Sequence, residues 1–343
     1  MAVTLKQICR ESGFSKATVS RVLNRHPLVS EETRRKVEAV IERYQFTPSA
    51  VARNLSLQKT DTVGVVFPWL SSGFFSTVLA GIDGAIRRAG YRMLTSLTHN
   101  EEGESEQALQ LLQQRCIEGL LLMAPNLSGE TLEKIKQHHL PVVLLQRELK
   151  DPQISSICVD NFDGARQATR HLIAQGRRRI LAVAGPKGYP DSARREEGYR
   201  AALAEAGIEF ESDLVIRSPD FSKETAVPYF ENFRTQHAMP DGIFCFTDDM
   251  ALGILKHLKG LGVRVPEQVA IIGFDGVEFT DFADLSTIQT PMLEMGEKAA
   301  ELLIAQIQSK TKRPREHLLL KGTLVARGST VAPSPSSHDR AAS

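Results

Sequence analysis

The chain has 343 residues, 42% of them hydrophobic and 24% charged, with a formal net charge of +1. That length exceeds the roughly 250 to 300 residues at which single cores stop growing, so at least two domains are expected, and the apolar content excludes a disordered polymer. Charge is unevenly spread. Residues 1 to 60 hold 11 Lys/Arg against 5 Asp/Glu, leaving 31 against 36 for the rest, which points to an anionic partner, most often nucleic acid, for the first segment alone.

The first residues, MAVTLKQICRES, contain no apolar signal region. No apolar run approaches the roughly 18 residues of a membrane helix, so a cytoplasmic, nucleoid-associated location with no membrane partner is expected. Cys9, Cys116, Cys158 and Cys245 are far apart and lack metal-ligand spacing. They read as reduced core residues, and neither a metal nor a cofactor is expected.

In chain order, Thr4-Leu5-Lys6-Gln7 fits a capping box that starts a helix at Leu5, and Gly13 stops it. Leu5, Ile8 and Cys9 form its apolar face. A second helix from about Lys16 to Asn24 turns Val19, Val22 and Leu23 inward and leaves Lys16, Ala17, Ser20 and Arg21 outside. Ser30, Glu31 and Glu32 open a third helix that carries Val37, Val40, Ile41 and Tyr44. Two short helices joined by a glycine turn, with a third across them, describe a helix-turn-helix whose second helix enters the DNA major groove. There Lys16 and Arg21 can reach guanine or phosphate, and Ala17 a thymine methyl. Periodicity alone also fits a small solvated bundle.

The following TPSAVARNLSLQKT, residues 47 to 60, holds about two turns of potential helix, too short to persist alone. It reads either as a plain linker or as a segment that orders against DNA and a second subunit.

TLKQICRESGFSKATVSRVLN followed by VSEETRRKVEAVIERYQFTPSAVARNL resembles the headpiece and hinge of the LacI/GalR family of bacterial transcriptional regulators. The resemblance implies that Lys16, Ala17 and Arg21 read bases, with Thr4, Ser15, Thr18, Ser20 and Asn24 completing the DNA-facing set. It also implies that Leu55, flanked by Ala52 and Arg53, wedges into the minor groove, as kinking apolar side chains do.

From Thr62, apolar runs alternate with amphipathic patterns: TVGVVF, YRMLTS, GLLLMA, PVVLLQ, SSICVD, RILAVA, DLVIRS, GIFCFT and VAIIGF are the expected strands. Repeated βαβ units mean parallel sheets covered on both faces. The number of strands suits two Rossmann-like subdomains with a ligand cleft between them, at the carboxyl ends of the strands. The expected class is therefore α/β, with an all-α helix-turn-helix headpiece in front. No GxGxxG after a strand, GxxxxGK[ST], GxSxG or HExxH occurs, so an enzyme lacks support.

The family resemblance continues to about residue 328 through VGVVFPWLSSGFFSTVLAGI, VDNFDGARQATRHL, AGPKGYPDSARREEGYRAAL, SPDFSKETA and FTDDMALGILKHLKGLGVRVPEQVAIIGFDG. It implies a periplasmic-binding-protein-like sensor for a sugar or sugar derivative. By position it places Phe74, Phe75, Arg195, Phe221, Thr247, Asp248 and Asp275 in the effector site. Asp275 would accept hydroxyls, Arg195 would donate a fork of hydrogen bonds, and Phe221 would stack on a sugar face. Phe74 and Phe75 fit core positions equally well, Arg195 also fits a surface pair with Glu196 or Glu197, and Asp275 also fits a turn cap before Gly276.

Two departures bear on the ligand. Trp69 stands near the cleft mouth, and Gln146-Arg147 replaces the aspartate that many members carry after the fourth strand, which tilts the site toward a sugar acid or sugar phosphate. The expected organisation is a headpiece over residues 1–46, a hinge and linker over 47–60, an effector-binding and dimerisation domain over 61–328, and a disordered Ser/Pro/Ala-rich tail over 329–343. The tail lacks leucine heptads, so a homodimer on double-stranded operator DNA is expected. The function that follows is an allosteric repressor. The rival readings are a sugar-binding protein and a sugar-converting enzyme on the same scaffold.

Overall fold

The computed structural model describes residues 3–23, 26–46, 59–70, 72–99, 103–124, 127–149, 151–309 and 315–331. The chain divides into two compact units, Met1–Thr60 and Asp61–Ser343.

In the first unit, α1 (Leu5–Ser12) is capped by Thr4, whose hydroxyl accepts from the Gln7 amide at 3.3 Å. Only that half of the expected capping box forms among the described residues. Gly13, with φ of 72°, ends the helix in the left-handed conformation that glycine adopts without steric cost. Ser15 caps α2 (Lys16–Leu23) by accepting from the Thr18 amide at 3.2 Å. Ser30 does the same for α3 (Glu31–Arg43) at Thr33. Ile8, Val19, Val22 and Val37 are buried at their junction, with Leu5, Phe14, Val40 and Ile41 packed around them. The apolar spacing along each helix thus fixes which faces remain outside.

The second unit contains two six-stranded sheets. The first is built from β1 (Thr62–Phe67), β2 (Arg92–Leu97), β3 (Gly119–Leu122), β4 (Val142–Leu145), β5 (Ser155–Val159) and the late β11 (His317–Leu320), in the order β11-β5-β4-β3-β1-β2. All its pairings are parallel. The second is built from β6 (Ile180–Ala184), β7 (Val215–Arg217), β8 (Gly242–Cys245), β9 (Ala270–Asp275), β10 (Ser286–Gln289) and β12 (Thr323–Val325), in the order β12-β10-β9-β8-β6-β7. Here β12 alone runs antiparallel. All nine expected strands are present, and β10, β11 and β12 are additions. The chain therefore passes between the sheets after β5, after β10 and between β11 and β12.

Helices α4 (Gly73–Arg88), α5 (Glu104–Gln113), α6 (Gly129–Gln137), α7 (Asn161–Ala174), α8 (Pro190–Glu205), α9 (Lys223–Gln236), α10 (Asp248–Gly260), the short α11 (Phe279–Phe282) and α12 (Met292–Gln308) complete the unit. One apolar cluster includes Val63, Val65 and Phe67 of the first sheet and Ala182, Phe244 and Phe274 of the second. On the first sheet α4 and α12 meet at backbone distance. A Cβ on Gly81 would lie 2.2 Å from the Leu293 carbonyl, and one on Gly296 2.1 Å from that of Val78. Glycine at both positions is what lets this helix pair close.

Candidate functional site

The outer face of α2 presents two exposed cations. Lys16, Ala17 and Arg21 are exposed, and Val19 and Val22 on the opposite face are buried. Among the described residues neither Lys16 nor Arg21 enters an ion pair, whereas Arg10 meets Glu11 at 3.1 Å and Lys36 meets Glu32 at 2.6 Å elsewhere in the unit. The hydroxyls of Ser15 and Thr18 lie 3.0 Å apart and serve the helix cap, as Thr4 serves that of α1. Ser20 is half-buried. Asn24 and the expected hinge residues Ala52, Arg53 and Leu55 lie outside the described residues.

The second unit holds a cavity of about 420 Å³ at the carboxyl ends of both sheets, the place where open α/β sheets bind ligands. From the first sheet it is lined by Pro68, Trp69, Ser72, Phe74, Phe75, His99, Met123, Leu145 and Gln146. Tyr189, Asp191, Arg195, Asp220, Phe221, Ser222, Thr247, Asp249 and Asp275 line it from the second. Phe75 is the hub of the first wall, edge-on to Phe67, Trp69 and Phe74 at ring separations of 5.9, 5.7 and 5.4 Å. Phe74 and Phe75 are thus at once buried and cavity-lining. Across from them Phe221 meets Tyr189 edge-on at 5.6 Å. Its ring occupies the space above Gly185, where a Cβ would come within 2.0 Å of it.

Arg195 is held on all sides. Its Nε donates to Asn161 Oδ1 at 2.8 Å, its Nη1 donates to the Phe246 carbonyl, its Nη2 lies 3.6 Å from Asp275 Oδ1, and its plane sits 3.9 Å from the Phe274 ring centroid. Two of the five N–H donors of the guanidinium are thus taken within the protein and its charge faces Asp275, while Arg195 still lines the cavity as expected. Its neighbours take the surface pairs, Arg194 with Glu197 and Glu196 with Arg200 and Arg217. Asp275 has a φ of 122°, a left-handed backbone that costs about 1 to 3 kcal/mol in a residue other than glycine. Thr290 supports it, donating to the Asp275 carbonyl from both its amide and its hydroxyl at 2.9 Å. Burial pushes the Asp275 carboxyl well above the usual carboxylate range, and Arg195 only partly offsets this.

Asp248 and Arg147 do not line the cavity, and both expectations are corrected. Asp248 points back under the β9 turn, accepting from the Gly276 and Val277 amides at 2.6 and 2.9 Å and from the Thr287 hydroxyl at 2.6 Å. Burial raises it to about 7 despite those donors. Asp249, one residue on, enters the lining instead. Arg147 donates to the Leu127 carbonyl at 3.1 Å, so it offers the cavity no cation. Gln146 remains in the lining with its Oε1 accepting from the Val159 amide at 3.2 Å. Thr247 caps α10 through the Met250 amide. The aspartates at positions 191, 220 and 249, together with Tyr189, escaped sequence reasoning. Burial lifts Asp191 to about 6, partly opposed by Arg195, and also raises Asp249, partly opposed by Lys223. Burial would raise Asp220 too, but hydrogen bonds from Thr225 and Ser222 outweigh it and leave this carboxyl below its ordinary value.

Two family models cover this chain. Residues 4–49 match the bacterial regulatory proteins of the lacI family, and residues 60–321 match the periplasmic binding proteins and sugar binding domain of the LacI family. The chain belongs to the LacI family. This LacI-family chain is 31% identical over 315 residues to the HTH-type transcriptional repressor PurR of Vibrio campbellii, spanning 91% of the chain and 94% of its relative. Among solved structures it matches a Lac repressor dimer bound to operator and the anti-inducer ONPF, with a TM-score of 0.83 and 26% identity over 97% of this chain and all of the other. It also matches a complex of the transcriptional regulator CelR with cellobiose, with a TM-score of 0.72 and 28% identity over 95% and 99%. This LacI-family protein is thus a DNA-binding transcriptional regulator controlled by a small molecule, and not an enzyme. Among its described residues no helix is long and apolar enough to cross a membrane, and no group of three or more His, Cys, Asp or Glu side chains is arranged to hold a metal ion.

Proposed function

We propose that the protein is a homodimeric repressor that reads a roughly palindromic operator through α2 and is switched by a polyhydroxylated, sugar-type effector in the cavity of the second unit. In this reading residues 1–46 dock on DNA, 47–60 couple the two functions, 61–328 bind effector and pair with a second copy, and the protein acts on the nucleoid in the cytoplasm. The observation that carries it is the pair of exposed cations Lys16 and Arg21, unpaired among the described residues and flanking Ala17 on one helix face. Arg and Lys read guanine edges, and an alanine contacts thymine methyls.

The aromatic wall and the opposing carboxylates support a ligand with an apolar ring face and many hydroxyls, the chemistry of a sugar. Because Arg147 donates to Leu127 and lies outside the lining, which leaves Arg195 as the one arginine or lysine facing the cavity among the described residues, a sugar acid or sugar phosphate is the weaker option. Pairing is supported by the exposed aromatic side chains of α11, Phe279 at 64% and Phe282 at 81%, which a second copy would cover. Effector binding would change hinge spacing and so DNA affinity, with a reciprocal coupling of about 1 to 3 kcal/mol.

Selection of genomic fragments by the purified full-length protein tests the reading. A recurrent, roughly two-fold symmetric sequence is expected, bound roughly a thousandfold or more tighter than random duplex at the same salt. Enrichment of no fragment would remove the proposal. Leu55→Ala should weaken operator binding with ligand binding retained; unchanged operator affinity would remove the hinge wedge from it.

A further inference from the structure

The lining aspartates differ in what holds them. Asp275 faces Arg195, and Asp220 accepts from the Ser222 amide at 2.8 Å and from the Thr225 hydroxyl. Asp191 and Asp249 have no hydrogen bond or ion pair among the described residues, yet both line the cavity. They stand in the first turns of α8 and α10, the helices that follow the adjacent strands β6 and β8, so the sheet brings them to one lip. The guanidinium of Arg195 gives two of its hydrogen bonds to Asn161 and the Phe246 carbonyl and faces Asp275, and the opposite wall is the aromatic cluster of Trp69, Phe74 and Phe75.

Two carboxylates partly drawn out of bulk water with no hydrogen bond or contact ion pair, and with only the more distant charges of Arg195 and Lys223 beside them, are costly, because burial disfavours an unpaired ion. A neutral hydroxyl returns a hydrogen bond to such a group, whereas a cation returns both the bond and the charge. An anion would be repelled. Aromatic faces also attract cations. Resting on the reading of this cavity as the effector site, we infer that the effector is a hydroxylated amine, an amino sugar in chemical class, whose ammonium group is held between Asp191 and Asp249. The remaining hydroxyls then meet Asp275, Gln146 and Asp220, and the apolar face of the ring lies on the aromatic wall.

Calorimetry on the full-length protein at neutral pH tests this with matched sets on two frames: glucosamine, glucose and glucuronate, and galactosamine, galactose and galacturonate. On at least one frame the amine should bind about tenfold or more tighter than its parent hexose, because an ammonium adds a counter-charge to the hydrogen bond that a hydroxyl already gives the carboxylates, and the uronate weakest. Asp191→Asn and Asp249→Asn should each shrink the amine preference several-fold, with melting temperatures no lower than that of the parent protein to exclude misfolding. Phe221→Leu should weaken all members of a set alike. A parent hexose or uronate that binds as tightly as its amine on both frames overturns the inference, as does an amine preference that survives both aspartate substitutions, or no binding by any of the six. Because calorimetry is done without DNA, a failure here is separable from failure of the regulator reading, which shows as loss of operator selectivity.

Discussion

The two compact units hold unpaired charge of opposite sign in different surroundings at the sites proposed for them. In the first unit Lys36 has Glu32, Arg10 has Glu11 and Arg34 has Glu31, whereas Lys16 and Arg21, like Lys6 and Arg35, are exposed and enter no ion pair among the described residues. In the second, Arg195, Asp275 and Asp248 are tied to one another's surroundings, but Asp191 and Asp249, both half-buried, line a cavity without a hydrogen bond or ion pair among the described residues. An exposed cation waits at almost no cost, because water solvates it, and it meets a polyanion with strong salt dependence. A sequestered carboxylate waits at a cost, which appears as a raised pKa and is relieved by its ligand. The unpaired charges at the two proposed sites thus differ in sign and in energetics.

The contrast between paired and unpaired groups is tested most severely at two neighbouring aspartates. Asp248→Ala strips the acceptor from the Gly276 and Val277 amides and the Thr287 hydroxyl. It should destabilise the second unit by about 3 to 5 kcal/mol, since each orphaned buried donor costs about 1 to 3 kcal/mol. Asp249→Asn should leave denaturant unfolding within about 1 kcal/mol of the parent protein. Equal losses in the two variants would break the distinction. Next in size, Arg21→Ala or Lys16→Ala should reduce operator affinity by about 1 to 3 kcal/mol and flatten discrimination between operator variants, read by fluorescence anisotropy. A loss identical on all sequences would reduce those residues to phosphate contacts.

A smaller effect follows from pH. Asp191 titrates at about 6 in the folded protein, above the roughly 3.9 of an unfolded aspartate. The folded state therefore holds the proton more tightly. Its contribution to stability is full below about pH 4 and is lost as pH rises through 6. Asp191→Asn should remove a component on the order of 1 kcal/mol from the pH dependence of stability between 4 and 7, after allowance for solvent screening. An unaltered profile would mean that the carboxyl is not sequestered. Smallest of all, Lys36→Ala should change both operator affinity and stability by less than about 0.5 kcal/mol, because its pair with Glu32 is exposed.

Much of the fold was legible because parallel strands are buried on both faces and read as unbroken apolar runs. TVGVVF and VAIIGF could hardly be anything else. STIQ, HLLL and TLV were missed for the converse reason. The first is short and polar at three of its four positions, the second has exposed and half-buried positions, and the third is a three-residue antiparallel edge. At the cavity, sequence position identified the right loops but not the direction of each side chain. Successive residues at a strand end or helix start face different ways, so Gln146 lines the cavity while Arg147 turns to Leu127, and Asp249 lines it while Asp248 turns to the β9 turn. Neither hydrophobic periodicity nor spacing carries that one-residue choice. It depends on which backbone amides the tertiary structure leaves in need of an acceptor. Tyr189 and Asp191 sit in a loop and a first helical turn, where periodicity is silent.

In the mechanism proposed above, a ligand-filled cavity and a cationic helix act on one equilibrium. Parallel anisotropy titrations of the full-length protein on selected operator and on scrambled duplex, at one fixed salt concentration and with or without saturating effector, test it most directly. The account predicts a preference for operator that the effector changes by roughly 5- to 150-fold, with effector affinity changed by the same factor when operator is bound. Equal affinity for both duplexes, or an operator affinity indifferent to an effector that calorimetry shows to be bound, would contradict it.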